Sequence, residues 1–136
     1  MSGLSGPFLI VHDIGHVRDA VAIAREHGRP VTLISAPGAA ASMGADVFNR
    51  MIDAVRAEDP DTDISAVMDC GADPGQAMQA LRMGCKNLRL NAEESVLRKL
   101  RDMTDGIVLD ARPIAAYDMA GGTHDLAAWL EGSADK

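Results

Sequence analysis

The side chains able to do chemistry in this sequence gather directly after its apolar runs. His12, Asp13 and His16 follow residues 8–11, and Ser35, Pro37 and Gly38 follow 31–34. Asp69, Cys70, Gly71 and Asp73 follow 64–68, Asn91, Glu93 and Glu94 follow 87–90, and Asp110 and Arg112 follow 107–109. Asp13 and Asp69 could hold a hard cation such as magnesium, which needs only one or two carboxylates and keeps several waters. Cys70 could act as a nucleophile with His12 as its base. The catalytic candidates are therefore Asp69, Cys70 and His12, and the ligand-binding candidates are Asp13, Asp69, Asn91 and Arg112. Each also has a plainer role. Asp13, Asp73 and Asn91 stand where a helix needs a cap. Asp110 and Arg112 can pair locally, His12 can be a packed imidazole, and a cysteine at a strand end often packs as a small apolar residue.

Familiar motifs are mostly missing. There is no G-x-G-x-x-G after the first apolar run and no G-x-x-x-x-G-K-[ST], and the thiol and imidazole spacings fit no zinc pattern. Gly71-Ala72-Asp73-Pro74-Gly75 opens a helix and could offer N–H groups to a phosphate, but Asp69 and Asp73 oppose an anion there, and the segment reads first as a turn with a proline start. The 136 residues carry 13 Lys+Arg against 20 Asp+Glu, a net charge of -7. That balance argues against nucleic acid or an anionic membrane as partner. Aromatics at 3% leave no platform for stacking bases. The apolar runs are too short to span a bilayer, and the start of the chain lacks the basic region of a signal peptide. Two cysteines, Cys70 and Cys85, make no secreted disulfide pattern, so reduced thiols and a cytoplasmic, bacterial-type setting are expected.

The elements that must position these residues are readable from periodicity. Residues 8–11, 31–34, 64–68, 87–90 and 107–109 read as short buried strands, the fourth being the weakest. Val17, Val21 and Ala24 mark one face of a first helix that stops at His27-Gly28. A second helix lies within 39–57, with Phe48, Met51, Ile52 and Val55 as its stripe and Met43 and Val47 alongside. Asp73-Pro74 starts a third, which ends near Gly84. Asn91 with Glu94 suggests a capping box for a fourth, whose buried side is Val96, Leu97, Leu100 and Met103. Thr123 caps a short last helix, and 132–136 reads as a frayed tail. Strands alternating with helices imply right-handed crossovers and a parallel sheet. Five units are too few for an eight-stranded barrel, which takes roughly 200 residues or more. The expectation is one α/β domain, 1–136: a three-layer, flavodoxin-like sandwich with a five-stranded sheet in the order 2-1-3-4-5. Asp13 and Asp69 would then face each other at the switch in strand order. Arg89 within Leu88-Arg89-Leu90 is awkward for a strand covered on both faces, and suggests an edge, a partner or a pocket.

Two stretches resemble known families. Residues 8–38, FLIVHDIGHVRDAVAIAREHGRPVTLISAPG, resemble the opening strand, acidic turn, helix and second strand of response-regulator receiver domains. That resemblance implies a magnesium-binding acidic pair, for which Asp13 matches the second acid while His12 replaces the first. It implies a phospho-accepting aspartate at Asp69. Asn91-Ala92 stands where receivers have a hydroxyl residue and a small one, and Arg112-Pro113 stands for Lys-Pro. Without the hydroxyl and one acid, the form implied is a degenerate receiver. Residues 77–94, AMQALRMGCKNLRLNAEE, are similar to a helix–strand unit of keto-deoxy-phosphogluconate-type barrel aldolases. Arg89 holds the position of the Schiff-base lysine there, and a guanidinium that stays protonated cannot form that base.

Two functions follow as expectations. One is a receiver-like, non-catalytic signalling or interaction domain with a protein partner or a homodimer. The alternative is a small-molecule-binding protein or small α/β enzyme with its site at the carboxyl ends of the strands.

Overall fold

A computed structural model describes Leu4 and residues 6–133. Six strands form in sequence: β1 (Phe8–Val11), β2 (Val31–Ser35), β3 (Ile64–Asp69), β4 (Leu88–Arg89), β5 (Val108–Leu109) and β6 (Ala116–Asp118). The helices are α1 (Ile14–His27), α2 (Ala39–Ser42), α3 (Ala45–Glu58), α4 (Pro74–Arg82), α5 (Glu94–Arg101) and α6 (Leu126–Ser133). Local chemistry explains most of the boundaries. The Asp13 carboxylate accepts the His16 N–H to start α1, and Gly28, in the left-handed region at φ 60°, ends it. Asp73 accepts from Gly75 and Gln76 and is followed by a proline suited to the first helical turn. The single helix expected within 39–57 is broken at Gly44, whose φ of 91° no helix tolerates.

Every strand pair is parallel, and the order is β5-β4-β3-β2-β1-β6. The α/β class and the parallel sheet are as expected, but the five-stranded 2-1-3-4-5 order is not. β1 through β5 wind in one direction without a reversal, and β6, too short to stand out in the sequence, adds to the free edge of β1. Crossovers of one hand that progress one way leave their helices on one face. Accordingly α1 packs on α3, α3 on α4 and α4 on α5, while Tyr117 of β6 meets Trp129 of α6 with the rings tilted by 52°. Leu9, Leu33, Met68, Leu88 and Val108 share one apolar core with Val17, Phe48, Ile52, Ala77, Leu97 and Leu130 of those helices. The second helical layer of a three-layer sandwich is not found among the described residues.

The other face of the sheet carries the alternate residues: Phe8 and Ile10, Thr32 and Ile34, Val67 and Asp69, then Arg89 and Leu109. This face curls on itself. Residues 110–115 leave the carboxyl end of β5 and must return to the amino end of β6, at the opposite edge. A flat sheet of six strands would set those edges about 24 Å apart, at roughly 4.8 Å per spacing. That is the full reach of the connection at about 3.4 Å per residue, with nothing left for the return along the strand axis. Curling brings the edges together. Phe8 of β1 and Leu109 of β5, four strands apart, line one cavity with Pro113 and Ile114, and Ile114 also faces Ile10 and Ile34 across the concave face.

Smaller expectations are corrected too. Asn91 does not cap α5: the N-cap is Glu93, without a side-chain bond, and the Asn91 N–H goes to the Gly71 carbonyl. Met103 and Val47 are exposed rather than buried along their helices. Gly132 and Ser133 complete α6, and the rest of the expected tail lies outside the described residues. No helix among the described residues is long and apolar enough to cross a membrane. The curl makes a direct prediction. Methyl protons of Ile114 should show NOEs to those of Ile10 and Ile34, contacts that a flat sheet with its edges apart would not give.

Candidate functional site

The site is built around Asp69, the last residue of β3 and only 4% exposed. A carboxylate placed there must have its lone pairs satisfied, and three neighbours see to it. Oδ1 accepts the N–H groups of Gly38 and Gly71, each at 2.9 Å. Both glycines are in the left-handed region, φ 68° and 61°, which turns their loops so that the two N–H groups converge. Oδ2 accepts from Arg89 Nη1 at 3.2 Å, a charged pair between directly opposed residues of β3 and β4. The Asp69 N–H itself donates to Ser35 Oγ at 2.8 Å. One aspartate thus joins the ends of β2, β3 and β4.

Arg89 extends that network. Its Nη2 donates to the carbonyls of Ala111 (3.3 Å) and Arg112 (2.9 Å), tying the β5–β6 connection to the sheet. Its Nε is fully covered and has no partner among the described residues. Leaving such a donor unsatisfied costs about 1–3 kcal/mol. Two cavities meet at this pair and share Pro37, Asp69 and Arg89. The outer one, about 310 Å³, opens between Gly38, Gly71, Ala72, Asn91 and Ala111. The inner one, about 290 Å³, lies on the concave face between Ile10, Ile34, Pro113, Ile114 and Ala116. A larger cavity of about 570 Å³ lies between α3 and the amino end of β4. Several polar groups there are engaged: Asn49 with Met83 and Cys85, Arg56 with the Ile64 carbonyl, and Asn87 with Ala66 and Ile107.

The other predicted residues do not all join Asp69. Asp13 lies beyond β1, and β2 separates it from β3, so the two acids do not face each other across a switch in strand order. Asp13 Oδ1 caps α1, while a guanidinium stands against Asp69 Oδ2. That donor set does not fit a magnesium ion shared by the two, because Arg89 occupies the charge a cation would use. No group of three or more metal-ligating side chains occurs among the described residues. Asn91 lines the outer cavity. Arg112 is largely solvent-exposed and pairs with Asp110 at 3.0 Å; only its carbonyl touches the site, through Arg89. The Asp110 carboxyl is held below its ordinary range chiefly by the Arg112 N–H.

His12 points the other way. Its Nε2 lies 2.7 Å from Asp118 Oδ1, its backbone N–H donates to His16 Nδ1, and the two rings meet edge to face. Burial pushes the Asp118 carboxyl up, but the Ala120 N–H and His12 outweigh it and hold it below the usual range. Cys70 is not presented as a nucleophile in this setting. It is buried in the helix-side core, and burial followed by the Asp69 charge pushes its thiol up to about 12. Burial likewise pushes Cys85 up to about 11, against a hydrogen bond to Asn49.

Arg89 is the charged site residue that sequence reasoning left out of its candidates, although the signal was visible, a charge between two leucines in a strand. Asp118, the partner of His12 away from that site, was left out as well, and no signal marked it, because β6 is three residues long.

Two outcomes test this geometry. Asp69→Asn keeps an acceptor for the two glycines but turns an amide toward Arg89, so stability in urea should fall by about 3 kcal/mol, as expected for breaking a largely buried pair. A disulfide reagent at pH 8 should find neither thiol reactive in the native protein and both reactive once it is unfolded.

Compared with known proteins, the chain matches no family model and no curated relative.

Proposed function

We propose that this chain is a small-molecule-binding domain whose ligand sits at the carboxyl edge of the curled sheet, astride the Asp69–Arg89 pair. The observation that carries this reading is the meeting of two cavities, one opening between the strand-end loops and one walled by isoleucines, at a single charged pair. Parallel sheets place ligands outside the carboxyl ends of their strands, and pockets of this kind combine mostly apolar walls with a few convergent polar groups. Each cavity is near the lower end of the usual range for ligand sites, and the shared wall lets one ligand use both.

The reading is one of binding rather than turnover. Both Asp69 oxygens are engaged, the Ser35 hydroxyl lies between the Asp69 N–H and the Ala36 carbonyl, and Cys70 faces the core. None of the three is poised to transfer a proton or attack a substrate. It is favoured over a receiver-like signalling module because that reading depends on Asp13 facing Asp69, and β2 stands between their strands.

A fragment screen by ¹H–¹⁵N correlation spectra tests the proposal. Ligands of the right class should shift the amides of Gly38, Gly71 and Ala111 and the side-chain Nε–H of Arg89. A chemically diverse set that leaves those signals in place would overturn it.

A further inference from the structure

The character of the two cavities narrows the ligand, given the reading that a small molecule occupies this site. We infer that the ligand is an organic monocarboxylate with a short branched aliphatic tail, its carboxylate on Arg89 and its tail in the inner cavity.

A guanidinium binds a carboxylate most strongly through two parallel N–H groups, and one such edge is formed by Nε and Nη2. On Arg89 that edge is the incompletely used one. Asp69 takes Nη1, two backbone carbonyls of the β5–β6 connection take Nη2, and Nε has no partner among the described residues. A carboxylate arriving there gives Nε its missing acceptor and replaces neutral carbonyls with a charged oxygen at Nη2. Because Nε is covered in this conformation, its surroundings must shift to admit the carboxylate. The Ala111 and Arg112 carbonyls that the ligand displaces are also what holds the β5–β6 connection to the pair.

Charge limits the head group to a single negative unit. One arginine serves the site, Asp69 already offsets it, and Asp69 also lines both cavities, so a phosphate dianion would meet a fixed negative charge at close range. A neutral head group gains little over the carbonyls it would displace, and a cation would be set against the guanidinium. The tail is specified by the inner walls. Ile10, Ile34, Ile114, Pro113 and Ala116 surround about 290 Å³ whose polar side chains, among the described residues, are Ser35, Asp69 and Arg89. That space suits a few carbons and rewards branching through contact with the isoleucines.

Titration of the full chain with 4-methylpentanoate, acetate, 4-methylpentanol, 4-methylpentylamine and inorganic phosphate tests the inference, read by the Arg89 Nε–H signal and the isoleucine methyls. The branched acid should move both, and bind at least tenfold more tightly than the alcohol, the amine or phosphate. Acetate should move only the Arg89 signal, about tenfold more weakly. Arg89→Lys should weaken the branched acid at least tenfold. Should that variant fold poorly, Ala116→Leu, which fills the inner cavity, should abolish the preference for the branched acid over acetate and leave acetate binding in place. The inference is overturned if the alcohol or amine binds as tightly as the acid, if phosphate is preferred, if the Nε–H signal stays unmoved, or if no probe binds. If fragments of another class still shift Gly38, Gly71 and Arg89, the binding reading survives and only the carboxylate assignment falls.

Discussion

The carboxylate of Asp69 is the constraint on which the carboxyl edge of this molecule depends. A buried charge is tolerated only when its lone pairs are filled and its charge opposed. Here each requirement recruits a different part of the chain. The two N–H groups bring in the loops after β2 and β3, and the guanidinium brings in β4. Through Arg89 the network reaches the connection between β5 and β6. Loops that surface chemistry alone would leave loose are thereby held around one point, where the two cavities meet.

The curl of the sheet is the second constraint, and it follows from connectivity. Six strands joined by crossovers in one direction, with a short return from β5 to β6, cannot lie flat. The helices cover the outer face, and on the inner face Ile114 of the return segment stands opposite Ile10 and Ile34. The inner cavity is the space it leaves uncovered next to Arg89. Fold and candidate site are in this sense one problem: the segment that closes the sheet is the segment that Arg89 holds.

Much of the local structure was legible in the sequence. Asp13, Gly28 and Asp73-Pro74 announced helix ends through capping chemistry that needs only near neighbours. The five apolar runs announced strands, and the gathering of polar residues at their ends announced which edge carries chemistry. Asp69 was picked out because it directly ends an apolar strand, at the edge where polar groups gather. Arg89 betrayed itself as a charge that no doubly covered strand could hold. What misled were positions with two local solutions. Asn91 and Glu94 have the spacing of a capping box, yet the Asn91 N–H bonds to Gly71 in the next loop. Met103 fits the stripe of α5 but lies past its end, in solvent.

The sequence by itself determined the α/β class, most element boundaries and the edge of the sheet that bears the polar groups, because periodicity, caps and strand-end residues are encoded within a few positions. The tertiary structure alone decided the strand order, the sixth strand, the placing of the helices along one face and the partners of each charged group. Those depend on which strands become neighbours, and nothing local distinguishes a chain that winds onward from one that doubles back. That choice separated Asp13 from Asp69 and set Arg89 against it, turning a candidate cation site into a neutralised pair beside an apolar pocket.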